Sequence, residues 1–167
     1  MLRPLLLLLL VLVASGCDSG QSEAQRQFND QAFFTVPDGI THVTAFGQVD
    51  STRVDTRDWR IGPGFATAVV EVSPATPNPL PPTGEATITL NLLRGLTGRP
   101  TLYVVDARGD LIPIVALNPP NVSGPGFPAF RVTAADLSPL GGAGLVRVLL
   151  LDDRLNVITY GDIEVEG

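Results

Sequence analysis

The sequence predicts an all-β protein built as an antiparallel β-sandwich, and three observations predict it. Residues 86–92 alternate strictly: Ile88, Leu90 and Leu92 point one way while Thr87, Thr89 and Asn91 point the other, as in a strand with one face in a core. Short β-branched or apolar runs recur between Pro- and Gly-rich breakers, the spacing of a sandwich of short strands. No segment of helical length carries a 3.6-residue apolar period, so α/β folds are disfavoured.

Taken in order, residues 17–27 are mostly Ser, Gly, Gln, Asp and Glu with almost nothing to bury, and read as a flexible tether. Residues 28–65 hold Phe28, Phe33, Phe34, Phe46, Trp59 and Phe65, six of ten aromatics, and read as short N-terminal strands at 31–36 and 42–49 around the turn Pro37-Asp38-Gly39. The main sandwich is expected over residues 66–167. Its strands are 66–72, 86–92, 102–106, 111–117, 130–132, 145–151, 157–160 and 163–165. Five prolines between residues 73 and 84 force an extended connection there. Gly109 sits in a hairpin turn, Pro113 places its strand at an edge or bulge, and Thr133-Ala134-Ala135-Asp136 opens one helical turn as a capping box.

Ahead of all this lies an address. Arg3 supplies a positive charge, residues 5–13 are unbroken and apolar, and small residues follow. The apolar run is too short to cross a bilayer, which takes about 20 residues. Val13-Ala14-Ser15-Gly16-Cys17 resembles the lipobox of bacterial lipoproteins, with Ala14 where that family most often has Leu. The resemblance implies a signal peptide over residues 1–16, cleavage before Cys17, and lipid on the Cys17 thiol. It also explains why Cys17 is the chain's one cysteine, since an exported thiol otherwise lacks a partner. Two or three acyl chains suffice for stable anchoring. The implied location is the bacterial cell envelope, anchored to a membrane through the N-terminal lipid, the outer membrane favoured over the inner.

A second resemblance concerns fold. Pro77-Asn78-Pro79, the strand at 87–92, and Leu102-Tyr103-Val104-Val105-Asp106-Ala107-Arg108-Gly109 are similar to a pattern in the Ig-like domain of flagellar hook-capping proteins and in C-terminal sorting domains of secreted Bacteroidota-type proteins. It covers about a fifth of the chain. It implies an Ig-like or fibronectin-like sandwich and carries over no functional residue.

Composition excludes several chemistries. All eleven positive residues are Arg, and only Arg3 falls within residues 1–16, so ten Arg face 17 acids in the mature chain, a net charge of −7. An acidic chain repels phosphate backbones, so no nucleic-acid partner is expected. The mature 151 residues bury enough surface to fold without a disulfide. His42 is the one histidine, there is no Gly-x-Ser-x-Gly elbow, and one His with one lipidated Cys makes no zinc site. Asp106 with Asp110, and Asp152 with Asp153, offer oxygens of the kind calcium takes, but Asp at such turns caps its own backbone. Arg108-Gly109-Asp110 reads as turn chemistry, and Asn121-Val122-Ser123 matches an N-glycosylation acceptor that a bacterial lipoprotein does not use. No metal, cofactor or catalytic residue is expected, and the chain is not read as an enzyme.

Trp59 is the remaining candidate. With Phe33, Phe34 and Phe46 it would make either a stacking platform for sugars or a partner protein, or part of the core. Core is the expectation, because Trp is highly buried on average and a strand there would turn Trp59 and Ile61 inward while Asp58 and Arg60 face water. The functional expectation is a non-catalytic, lipid-anchored interaction or structural module with an envelope protein or polysaccharide as partner. The alternative is a carbohydrate- or envelope-polymer-binding lipoprotein using Trp59.

Overall fold

The computed structural model describes residues 22–105, 108–117, 122–137 and 142–167. The signal segment, Cys17, Asp106 and Asn121 lie outside them. Strands β1 (Val69–Thr76), β2 (Glu85–Leu92) and β5 (Ala129–Thr133) form one antiparallel sheet in the order β1-β2-β5. Strands β3 (Thr101–Val105), β4 (Leu111–Ala116), β6 (Gly144–Leu151) and β7 (Val157–Val165) form a second, in the order β4-β3-β6-β7. The two sheets enclose one apolar core, the arrangement of a β-sandwich. Alternation builds it: Ala86, Ile88, Leu90 and Leu92 from β2 and Phe130 and Val132 from β5 meet Leu102 and Val104 from β3 and Val146, Val148 and Leu150 from β6.

Two expectations of detail hold and a third is revised. Pro113 lies on β4, an edge strand, next to a register shift against β3. The Thr133 hydroxyl accepts from the Asp136 N–H and the Asp136 carboxylate accepts from the Thr133 N–H, opening α2 (Ala134–Leu137). The expected strands at 157–160 and 163–165 are one continuous strand, β7.

The N-terminal region differs from expectation. The sequence reads residues 17–27 as tether and 31–36 as a strand; instead a 12-residue helix, α1 (Glu23–Phe34), takes in residues 23–27 and 31–34. Ser22-Glu23-Ala24-Gln25 is a Ser-x-x-Gln start, and the Ser22 Oγ accepts from the Gln25 N–H at 3.2 Å. Gln25, Phe28 and Ala32, at spacings of three and four, form its buried stripe. The stripe holds one polar residue and few apolar ones, so periodicity alone did not expose it. Phe28 and Ala32 pack on Leu149, Leu151, Val157 and Tyr160, the outer face of the four-stranded sheet. This is why residues 149–151 are all Leu: β6 is buried on both faces.

Residues 42–49 are not a strand either. Val43 makes single bridges to Val49 and Asn78, around a tight turn closed by Thr44 and Gln48. Residues 38–62 form a strap along the free edge of β7. The Trp59 N–H donates to the Tyr160 carbonyl at 2.7 Å and the Gly62 N–H to the Ile158 carbonyl at 2.7 Å. Farther along, the Leu80 N–H donates to Glu164 and the Glu166 N–H to Leu80. An open edge strand is a template for aggregation, and here the chain's own N-terminal half covers it.

Candidate functional site

The strap meets β7 at a buried polar junction built from three segments. Asn78, wholly buried between the cis-prolyl bonds of Pro77 and Pro79, exchanges backbone hydrogen bonds with Val43 at 2.8 and 2.9 Å. Its Nδ2 donates to the Asp162 carbonyl at 2.9 Å and to the Thr41 carbonyl at 3.3 Å, and its Oδ1 accepts from the Glu164 N–H at 3.1 Å. Asn78 thus ties strap to strand through one side chain.

Asp58 does the same with its carboxyl group. One carboxylate oxygen accepts from the Thr41 N–H at 3.1 Å, the other from the Asp162 N–H at 3.0 Å. Beside it Arg147 of β6 grips the buried Asp162 carboxylate with two hydrogen bonds of 2.8 Å, from Nε and one terminal nitrogen. The other terminal nitrogen donates at 2.6 Å to the carbonyl and hydroxyl of Thr35, capping the C-terminus of α1 with a cation. The Arg147 guanidinium also stacks over Tyr160, 5.1 Å from its centroid, and the Tyr160 ring packs on Phe28. Arg60 closes the layer, donating to the Tyr160 hydroxyl at 3.0 Å and the Gln31 side chain at 3.1 Å.

The electrostatics follow from burial. Burial and the neighbouring Asp162 charge push the Asp58 carboxyl up to about 7, against the pull of its two backbone N–H donors. Burial also raises Asp162, and the Arg147 hydrogen bonds oppose it. Asp55 goes the other way, held below the usual carboxylate range by its hydrogen bond from Arg57.

Of the residues singled out in the sequence, Trp59 is 5% exposed and part of the core between the sheets. It is not on a strand. It occupies a turn with φ of 58°, and its ring lies on Gly161. The expected alternation fails there, and Asp58 is half-buried at the junction instead of facing water. The platform reading of Trp59 is corrected by its burial and by its neighbours: Phe34 and Phe46 are exposed elsewhere, 81% and 93%, and do not join it. His42 is half-buried, with its backbone N–H on the Arg53 carbonyl. The Asp152 carboxylate accepts from the Arg154 and Asn156 N–H groups at 2.8 Å and so caps its own turn, whereas Asp153 accepts from the Arg99 N–H of a distant loop at 2.8 Å. Among the described residues no group of three His, Cys, Asp or Glu stands where it would hold a metal ion.

None of Asp58, Asn78, Arg147 and Asp162 is expected as a site residue from the sequence, where Asp58 reads as facing water and Asn78 only as part of a fold motif. A signal for two of them existed. Arg147 and Asp162 interrupt runs of buried strand residues, where a charge persists only when paired. Beyond the junction, a surface groove of about 410 Å³ runs between the end of α1 and the start of β6, lined by Phe33, Phe34, Val36 and Leu145 among others. No helix among the described residues is long and apolar enough to cross a membrane. Compared with known protein families, curated proteins and solved structures, the chain matches none.

Proposed function

We propose that the protein is a lipid-anchored module of the bacterial cell envelope with an Ig-like sandwich, serving interaction or architecture and not catalysis. One observation carries the reading: an apolar run at residues 5–13 followed by Val13-Ala14-Ser15-Gly16-Cys17, with Cys17 the chain's one cysteine. The lipid on Cys17 would hold the domain at the membrane, the outer membrane being the preferred face. The partner class is an envelope protein or polysaccharide.

Two features support a module. The antiparallel sheets of three and four strands suit an Ig-like domain, and the Pro77-Asn78-Pro79 motif has a fold role in it, pinning the strap. The buried polar groups Gln25, Asn78, Arg147 and Asp162 are spent on holding segments together: Gln25 bonds to Gly64, Val157 and Asn29, as Asn78 bonds to Thr41, Asp162 and Glu164. Such bonds suit a structural role for those groups. Fractionation of cells expressing the full chain tests the anchor. The wild type should sediment with membranes and resist high-salt extraction, and Cys17→Ala should move it to the soluble fraction. Membrane association unchanged by Cys17→Ala would refute the anchor.

A further inference from the structure

The junction holds two carboxylates and one cation, and the cation is fully committed. Arg147 gives Nε and one terminal nitrogen to Asp162 and the other terminal nitrogen to Thr35. Among the described residues Asp58 makes no ion pair of its own. It nevertheless joins two segments distant in sequence, receiving the N–H of Thr41 in the strap and that of Asp162 in β7. The charged groups that face it are Asp162 from β7, Arg147 from β6 and Asp55 from the strap, with α1 contributing the neutral Thr35 through Arg147. With both acids ionised, the junction encloses one uncompensated negative charge among buried groups. A single proton removes it, and a neutral carboxyl keeps its carbonyl oxygen as an acceptor for one of the two N–H groups.

We propose that Asp58 is a proton-operated latch, holding the strap on β7 when neutral and slackening it when ionised. The sign follows from linkage. The Asp58 carboxyl in the closed strap lies above its ordinary value of 3.8, at about 7, so closure is favoured in acid and loses that support as pH rises through about 7. What slackens is local: the strap's hydrogen bonds to Tyr160 and Ile158, with the sandwich core left in place.

The chain carries its own reporter, because Trp59, its one tryptophan, adjoins Asp58 and sits on Gly161. Protein purified from cells expressing the full chain is titrated from pH 5.5 to 8.5 with two readouts, Trp emission and hydrogen exchange at the Trp59 and Gly62 amides, corrected for intrinsic rates. The wild type should shift its emission to the red with a midpoint near neutrality. Protection of the two amides should fall by about tenfold or more between the ends of the range. Asp58→Asn, neutral at every pH, should abolish both changes. His42→Gln, which removes the one histidine, should leave them intact. The proposal is overturned if the wild type shows no transition, if Asp58→Asn keeps it, or if His42→Gln removes it. Should Asp58→Asn fail to fold, the carboxyl carbon of Asp58 is followed by NMR in the wild type. A titration midpoint below about 5 contradicts the latch, and one near neutrality that coincides with the Trp59 shift supports it.

Discussion

The indole of Trp59 lies flat against Gly161: a Cβ added there would stand 2.6 Å from ring atoms Cδ2 and Cζ2 and nearer still to Cε2. That glycine is what lets the strap's only tryptophan enter the core between the sheets. The surrounding backbone accepts a cost for it, since Trp59 itself has φ of 58°, a conformation that disfavours residues with a Cβ.

Gly161→Ala should therefore push the ring out, and destabilise the fold by at least the roughly 1–3 kcal/mol typical of overpacking. Trp59→Ala should cost about 3–5 kcal/mol, the usual penalty for deleting a large buried aromatic. The double variant should cost clearly less than the sum, because each change acts on the same space. Urea denaturation of the four proteins checks this. Strict additivity would mean that ring and glycine do not depend on each other.

Arg147 and Asp162 form the buried ion pair of the junction. Arg147→Met leaves a carboxylate buried without its cation and should cost about 3–5 kcal/mol, while Arg147→Met with Asp162→Leu should recover much of the loss. The same denaturation experiment reads the result. A single variant within about 1 kcal/mol of wild type would show that solvent already screens the pair.

The strap and α1 seal one edge and one outer face of the four-stranded sheet, so residues 66–167 do not make a finished surface. Expressed alone, that segment exposes the β7 edge and the patch of Leu149, Leu151, Val157 and Tyr160. It should elute as aggregate in size-exclusion chromatography, whereas residues 22–167 should elute as a compact species. A monomeric, cooperatively melting 66–167 fragment would mean the N-terminal half is an accessory.

What the sequence showed and what it hid divide along physical lines. The sandwich was legible because β2 alternates cleanly and because Pro113, Gly109 and Thr133 with Asp136 act through local backbone rules. α1 was hidden because its buried stripe includes Gln25, whose side chain is satisfied by partners 39 and 132 residues away. The Ser22 to Gln25 capping signal is present, but the composition around it is that of a tether. The strap was hidden for the opposite reason. Its residues are β-prone in isolation, yet they are held by single bonds to β7 and Asn78, which no local pattern encodes. Trp59 was expected in the core and lies there, but by a left-handed turn and a glycine a hundred residues on, not by strand alternation.

The proposed envelope function rests on Cys17, and mass spectrometry of the mature N-terminus tests it most directly. The expected mature chain begins at Cys17, with a diacylglycerol mass on that residue and ester-linked acyl chains released by base. A mature chain that begins at any other residue, or one that begins at an unmodified Cys17, would contradict it.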